Sequence, residues 1–137
     1  MKIYFAGSIR GGRDDMDLYF KLIQHLATYG QVLTEHLGDK NLTSVGEDIT
    51  DELIYNRDMA WVKEADVIIA EVSTPSLGIG YEIGKAENID KKILCLYREQ
   101  ADKRLSAMIS GNSNIKVVRY NTLEEAINNV DDYFKLL

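Results

Sequence analysis

Apolar segments that predict strands alternate with helical segments along the whole chain, and this alternation constrains the fold more than any other feature. The segment at residues 66–71 is continuously apolar, as expected for a strand buried on both faces of a parallel sheet. The predicted strands are 2–6, 31–33, 66–71, 92–97 and 115–119, and the main predicted helices are 14–29, 50–65, 80–89 and the segment after 122. Because such connections are right-handed, we predict an α/β doubly wound, flavodoxin-like parallel sheet of five strands in the order 2-1-3-4-5.

Composition limits the classes of function that are open to this chain. Its 137 residues predict one domain, 1–137. The net charge of −6 argues against a nucleic-acid-binding surface, which needs a basic face. The apolar segments are far shorter than the ~20 residues that span a bilayer, so no membrane association is expected. The single cysteine, Cys95, lies in an apolar strand segment and is expected to be a buried core residue, which fits a reducing cytosol.

The predicted topology also locates a binding crevice. In doubly wound sheets the ligand lies at the carboxyl ends of the strands where the strand order reverses, here between strands 1 and 3. The loops at those two ends, 7–13 and 72–78, are the richest in glycine and serine in the chain. Two independent observations therefore indicate one crevice.

The first of these loops has the composition of a phosphate-binding loop. It offers Ser8, backbone amides around three glycines, and the guanidinium groups of Arg10 and Arg13, which can contact phosphate oxygens in pairs. The alternative is a flexible loop with solvated arginines. The spacing matches neither a P-loop nor the dinucleotide-binding fingerprint.

Glu82 is the carboxylate closest in sequence to the second loop. We predict that it lies in the first turn of the helix after that loop, where the helix end would favour its ionised form. An ionised carboxylate there could attack the anomeric carbon of a sugar, whereas most helix-end carboxylates have no such role. The flanking Gly80 and Gly84 weaken a helix, which suggests that something approaches the backbone closely.

A second carboxylate could donate a proton. Asp58 lies at the edge of the apolar stripe of its predicted helix, where partial burial would raise its pKa. Pairing with Arg57 is the alternative, and Glu71, at the end of the third predicted strand, is a rival acid. Tyr4 is either a packing residue or a phenol that reaches the strand ends, and His36 could line the same crevice.

Several segments together resemble a known family. The specific ones are Gly-Ser-Ile-Arg-Gly-Gly-Arg at 7–13 and Pro-Ser-Leu-Gly-Ile-Gly-Tyr-Glu at 75–82, supported by 33–36, 58–61, 93–96 and 105–109. In this order they resemble the nucleoside 2-deoxyribosyltransferase family, in particular its members that hydrolyse 2'-deoxynucleoside 5'-monophosphates. The resemblance covers nearly the whole chain, with 37–56 matching least.

The resemblance implies roles for particular residues. Glu82 would be the nucleophile, Asp58 would protonate the departing base, and Tyr4 would orient Glu82. The residues implied in substrate binding are Ser8, Arg10, Gly11, Ser76 and Gly78 at the 5'-phosphate, Ile9 and His36 beside the nucleotide, and Ser106 and Met108 from a neighbouring subunit. The family implies a homodimer, no metal or organic cofactor, and a lean toward purine bases, guanine first.

Three other functions stay open on the sequence. A nucleoside deoxyribosyltransferase that exchanges bases would use the same glutamate chemistry. A hydrolase of ribonucleotides such as CMP is a related possibility. A nucleotide-binding module without catalysis is the alternative from a different class, because this fold hosts many functions.

Overall fold

The computed structural model describes residues 1–9, 15–39, 41 and 46–137. The strands are β1 (Lys2–Ala6), β2 (Gln31–Val32), β3 (Val67–Glu71), β4 (Lys92–Arg98) and β5 (Lys116–Tyr120). The helices are α1 (Met16–Leu26), α2 (Asp51–Glu64), α3 (Leu77–Asn88), α4 (Ala107–Ser110) and α5 (Leu123–Lys135), with a short 3₁₀ helix at Glu35–Gly38. Most predicted bounds agree with these to within about two residues, except at α3.

All five strands pair in parallel in the order β2-β1-β3-β4-β5, which confirms the predicted topology. Ile3 of β1 lies between Val32 of β2 and Val67 of β3. The chain therefore extends the sheet first to one side of β1 and then to the other. The carboxyl ends of β1 and β3 border the point at which the direction reverses.

Helices cover the two faces of the sheet and create two separate apolar layers. One layer joins α1 and α5 to the sheet through residues that include Leu22, Val130 and Phe5. The other joins α2 and α3 to the sheet through residues that include Val62, Ile83 and Tyr4. Because side chains alternate along a strand, neighbouring residues of β1 and β3 face different helices. Cys95 is fully buried in the α2/α3 layer, as predicted.

Side-chain caps fix where the helices begin. Ser76 Oγ accepts a hydrogen bond from the Ile79 amide at 3.3 Å, so α3 begins at Leu77. The prediction that this helix begins at residue 80 was therefore wrong, because the serine cap outweighs the low helix propensity of the glycines. Glu82 is consequently in the second turn, and the first turn of α3 contains no acidic residue. Within the described ranges, no helix is long and apolar enough to cross a membrane.

Candidate active site

A cavity of about 690 Å³ opens at the carboxyl ends of β1 and β3, where the topology predicts a ligand. It lies between the loop after β1, the 3₁₀ helix, α2 and the start of α3. Its lining residues are Tyr4, Ala6, Gly7, Ile9, Thr34, His36, Leu37, Gly46, Glu47, Asp51, Ile54, Tyr55, Asp58, Met59, Pro75, Ser76, Leu77, Gly78, Ile79, Tyr81 and Glu82. Seven residues that the sequence indicated as site residues thus share one cavity: Tyr4, Ile9, His36, Asp58, Ser76, Gly78 and Glu82.

The hydroxyl of Tyr4 lies next to the carboxylate of Glu82 and stabilises its ionised form. Burial, followed by the nearby charge of Asp58, raises the pKa of Glu82 to about 7, although the Tyr4 hydroxyl and the charge of Arg57 oppose this rise. Burial, followed by the charges of Glu82 and Asp58, raises the pKa of Tyr4 far above its ordinary value. Tyr4 therefore stays protonated beside Glu82.

The prediction that the N-terminal end of α3 favours the ionised form of Glu82 was wrong. That effect is confined to the first turn of a helix, and Glu82 lies one turn beyond it. Desolvation acts in the opposite direction and dominates. Among the described residues nothing lies within 4 Å of a Cβ built at Gly80 or Gly84, so the close approach that these glycines suggested is not made by the described part of this chain.

Asp58 combines the two interpretations that the sequence left open. Burial raises its pKa, as a proton donor requires. It is also paired with Arg57, whose Nε and Nη2 donate to Asp58 Oδ1 at 3.0 and 2.9 Å and oppose that rise. Glu82, Tyr4 and Asp58 interact electrostatically across the cavity. Both carboxyl groups therefore keep their protons to a higher pH than they would in water.

The pairing of Arg57 with Glu47 was missed from the sequence. Arg57 Nη1 and Nη2 donate to the two oxygens of Glu47 at 2.7 and 2.8 Å. His36 Nε2 lies 3.1 Å from Glu47 Oε1. Glu47 belongs to a polar segment with neither helical nor strand periodicity, so no sequence signal pointed to it.

Glu71, the rival acid, lies on the other face of the sheet. It follows Val67 and Ile69 at two-residue intervals, and both belong to the α1/α5 layer. Its Oε1 accepts hydrogen bonds from the hydroxyls of Tyr120 (3.0 Å) and Ser73. Alternate residues of a strand face opposite sides of the sheet, so the Glu71 side chain points away from this cavity. The interpretation of Glu71 as the acid of the cavity was therefore wrong.

The loop after β1 is held by an aromatic ring. A Cβ at Gly7 would lie 2.9 Å from Tyr19 Cε2, so only glycine allows this ring to approach. The Tyr19 hydroxyl accepts a hydrogen bond from the Ser8 amide at 3.0 Å. The Ser8 hydroxyl is buried and has no hydrogen-bond partner within the part of the chain that the structure describes. Arg10, Gly11 and Arg13 lie outside the described residues.

Ser106 and Met108 lie on a second groove, of about 810 Å³, beside the first cavity. Ser106 caps α4 by accepting a hydrogen bond from the Met108 amide at 3.3 Å. Ser76 and Leu77 border both the groove and the cavity. The structure therefore separates Ser106 and Met108 from the cavity of their own chain but places them close to its rim.

Comparison with known proteins assigns the family. The model of the nucleoside 2-deoxyribosyltransferase family matches residues 3–126. The chain belongs to this family. A 5-hydroxymethyl-dUMP N-hydrolase of Tetraodon nigroviridis is 47% identical over 138 residues, covering 98% of this chain and 97% of the relative. The human protein of that name is 46% identical over 139 residues, covering 97% and 79%.

Further relatives agree with the fold and the family. A Nematostella vectensis protein, provisionally named 2'-deoxynucleoside 5'-phosphate N-hydrolase 1, is 53% identical over 117 residues, covering 84% of this chain and 80% of the relative. The solved structure of the CMP N-glycosidase BcmB of Clostridium botulinum superposes with a TM-score of 0.71 at 23% identity, covering 97% of this chain and 99% of the other. At this identity it supports the fold alone.

Proposed function

We propose that this protein is an N-glycosidase that hydrolyses 2'-deoxynucleoside 5'-monophosphates to a free base and 2-deoxyribose 5-phosphate. The observation that carries the proposal is the half-buried Glu82 carboxylate, which lies beside the hydroxyl of Tyr4 and the charge of Asp58 at the switch point of the sheet. The names of relatives at 46–53% identity support this substrate class.

The first half of the reaction breaks the bond between C1' and the base nitrogen. The electron pair of that bond leaves with the base, and the carboxyl group of Asp58 gives its proton to the base. An oxygen of the Glu82 carboxylate forms an ester bond to C1', as in retaining glycosidases. We propose that Tyr4, whose hydroxyl lies next to the attacking carboxylate, orients it.

The second half restores the enzyme. Water attacks C1', the Asp58 carboxylate accepts its proton, and the bond between C1' and Glu82 breaks, so that Glu82 recovers its negative charge. The transition states resemble an oxocarbenium ion, which a neighbouring carboxylate stabilises. A 2'-hydroxyl would withdraw electrons from this cation, so a 2'-deoxy substrate reacts more easily.

The 5'-phosphate supplies binding energy at a distance from C1', and this energy can position the sugar against Glu82. We propose that Ser8, Arg10, Gly11, Ser76 and Gly78 bind this phosphate. The buried hydroxyl of Ser8, which no described residue pairs with, and the start of α3 at Leu77 support this assignment. We propose that Ile9 and His36, which line the cavity, border the rest of the nucleotide.

Release of free base tests the proposal. The substrates are dGMP, which the resemblance favours, 5-hydroxymethyl-dUMP, which the relatives have in their names, the matching nucleosides, and GMP and CMP. We expect base release from the deoxynucleoside monophosphates and far less from the others. Base exchange on adding a second base would indicate a transferase, and nucleotide binding without base release would indicate a binding module.

We also propose that the protein is a homodimer in which Ser106 and Met108 complete the neighbouring site. Leu77 and Met108 are apolar yet 97% and 81% exposed, and they border the second groove. Gly80 and Gly84 leave open space along α3, where another chain could approach. We propose further that residues 1–137 form a single domain and that the protein is located in the cytosol.

Complementation tests the shared site. We expect Glu82→Gln and Ser106→Arg each to be inactive alone and to regain activity when unfolded and refolded together, because one site of the mixed dimer is intact. The control is the same procedure with each variant alone. If the mixture stays inactive while sedimentation shows dimers, Ser106 does not serve its neighbour's site.

A further inference from the structure

We infer that Glu47 and Arg57 are a pair of positioning residues that together orient the carboxyl group of Asp58 and adjust how tightly it holds its proton. This inference rests on the proposed hydrolysis and assigns a task to two residues outside the set that the sequence indicated. Neither residue needs to touch the reacting atoms. Both act through Asp58.

The geometry of Arg57 is the first support. Its guanidinium group bridges two carboxylates, with contacts of 2.7 and 2.8 Å to Glu47 and of 2.9 and 3.0 Å to Asp58. Adjacent residues on a helix do not normally face each other, so the Arg57–Asp58 contact needs an external constraint. Glu47 supplies it from the loop before α2, and the ring of Trp61 lies 4.7 Å below the guanidinium carbon.

The contacts of Arg57 also distinguish the two oxygens of Asp58. Both hydrogen bonds from Arg57 reach Oδ1. An oxygen that already accepts two charged hydrogen bonds is a poor site for a proton. Oδ2 is therefore the oxygen that carries the proton to the base, and Arg57 fixes its orientation.

Charge is the second support. The groups that face Asp58 are Arg57 on its own helix, Glu47 before that helix, His36 of the 3₁₀ helix, and Glu82 with Tyr4. Arg57 and His36 lower the pKa of Asp58, and Glu47 raises it. Arg57 has the larger effect of the two residues, so the pair as a whole lowers the pKa of Asp58, and Glu47 limits how far it falls. Glu47 offsets that cation while preserving its hydrogen bonds.

The experiment compares variants that change opposite charges of one pair. Arg57→Gln removes the cation, so Asp58 holds its proton more tightly and the alkaline limb of the kcat–pH profile moves up by about one pH unit. Glu47→Gln leaves the cation unopposed, so the same limb moves down and the plateau falls. In the double variant Arg57→Gln/Glu47→Gln the limb is expected between the positions of the wild type and Arg57→Gln, because Arg57 has the larger effect on Asp58.

Two controls separate charge from structure. Arg57→Lys keeps the positive charge but loses the planar guanidinium group that donates several hydrogen bonds. We therefore expect the alkaline limb of the kcat–pH profile near its wild-type position and a lower maximal kcat. Lys63→Gln removes an exposed cation from the same helix and is expected to change neither the position of the alkaline limb nor the maximal kcat. Limbs that stay in place in all variants, or that move in one direction in both single variants, would overturn the inference.

A titration of Asp58 that requires no catalysis tests the inference independently of the proposed function. Carboxyl carbon shifts of labelled Asp58 can be followed against pH in the wild type and in both single variants. We expect its titration to move up in Arg57→Gln and down in Glu47→Gln. If the wild type releases no base from any nucleotide, the proposed function fails, and these shifts still decide whether the pair controls the proton.

Discussion

Glu82→Gln should stabilise the protein, by an amount that depends on pH. Burial raises the pKa of Glu82 from its ordinary value of 4.5 to about 7. At 1.36 kcal/mol for each pH unit, the folded state loses about 3 kcal/mol when Glu82 ionises, relative to the unfolded chain. Between these two pKa values the folded state binds more protons at Glu82 than the unfolded state. The contribution of Glu82 to stability therefore falls as the pH rises from about 4.5 to 7.

The glutamine side chain has nearly the same shape as that of Glu82 but cannot ionise. We expect the advantage of Glu82→Gln in the free energy of unfolding to be small near pH 4.5 and to grow by about 2 kcal/mol between pH 5.5 and pH 8.5. Other buried groups, such as Glu71, titrate in both proteins and cancel in the difference.

Urea unfolding at fixed protein concentration, followed by far-UV circular dichroism at both pH values, measures this difference. Glu124→Gln, on the exposed face of α5, is the matched control and should change stability by less than about 0.5 kcal/mol at either pH. A Glu82→Gln advantage that is equal at both pH values, or one that shrinks as the pH rises, would refute the reasoning that Glu82 is buried at a cost. The same variant should release no base.

Three further predictions follow from the site. Tyr4→Phe removes the hydroxyl that lies next to Glu82, so kcat should fall about tenfold to a hundredfold and the acid limb of the pH profile should move to higher pH, as steady-state kinetics will show. Asp58→Asn should lower kcat about 10²- to 10⁴-fold with a natural base but much less with p-nitrophenyl 2-deoxyriboside 5-phosphate, whose leaving group needs no proton; equal losses would exclude Asp58 as the acid. Gly7→Ala places a Cβ 2.9 Å from the buried ring of Tyr19 and should cost about 1–3 kcal/mol of stability in urea unfolding.

Local patterns were enough to predict most of the fold. The apolar segments and helical spacing depend on neighbours in the chain, and they predicted five parallel strands in the observed order. The residues Thr-Leu-Glu-Glu at 122–125 have the pattern of a helix cap, and the hydrogen bond from the Glu125 amide to the Thr122 hydroxyl is present at 3.2 Å. The start of α3 was missed because the glycines were given more weight than the cap of Ser76, although both are local signals.

The candidate site was only partly readable for a different reason. The glycine and serine loops and the strand order predicted where a cavity would lie, and Tyr4, Asp58 and Glu82 line it. The choice between Asp58 and Glu71 depended on the face of the sheet to which each side chain points. The alternation of residues along a strand shows which side chains share a face of the sheet. It does not show which helices cover that face, and the choice depends on this.

The sequence by itself determined the order of the elements, the edge of the sheet where a ligand can bind, and the residue types available there. The tertiary structure decided how those residues are charged. The pKa of Glu82 is set by its burial and by Asp58, 24 positions earlier in the sequence, and Asp58 is oriented by Arg57 and Glu47. Desolvation and pairing between distant segments exist only once the chain has packed, which is why periodicity could place these carboxyl groups but not tell how tightly each holds its proton.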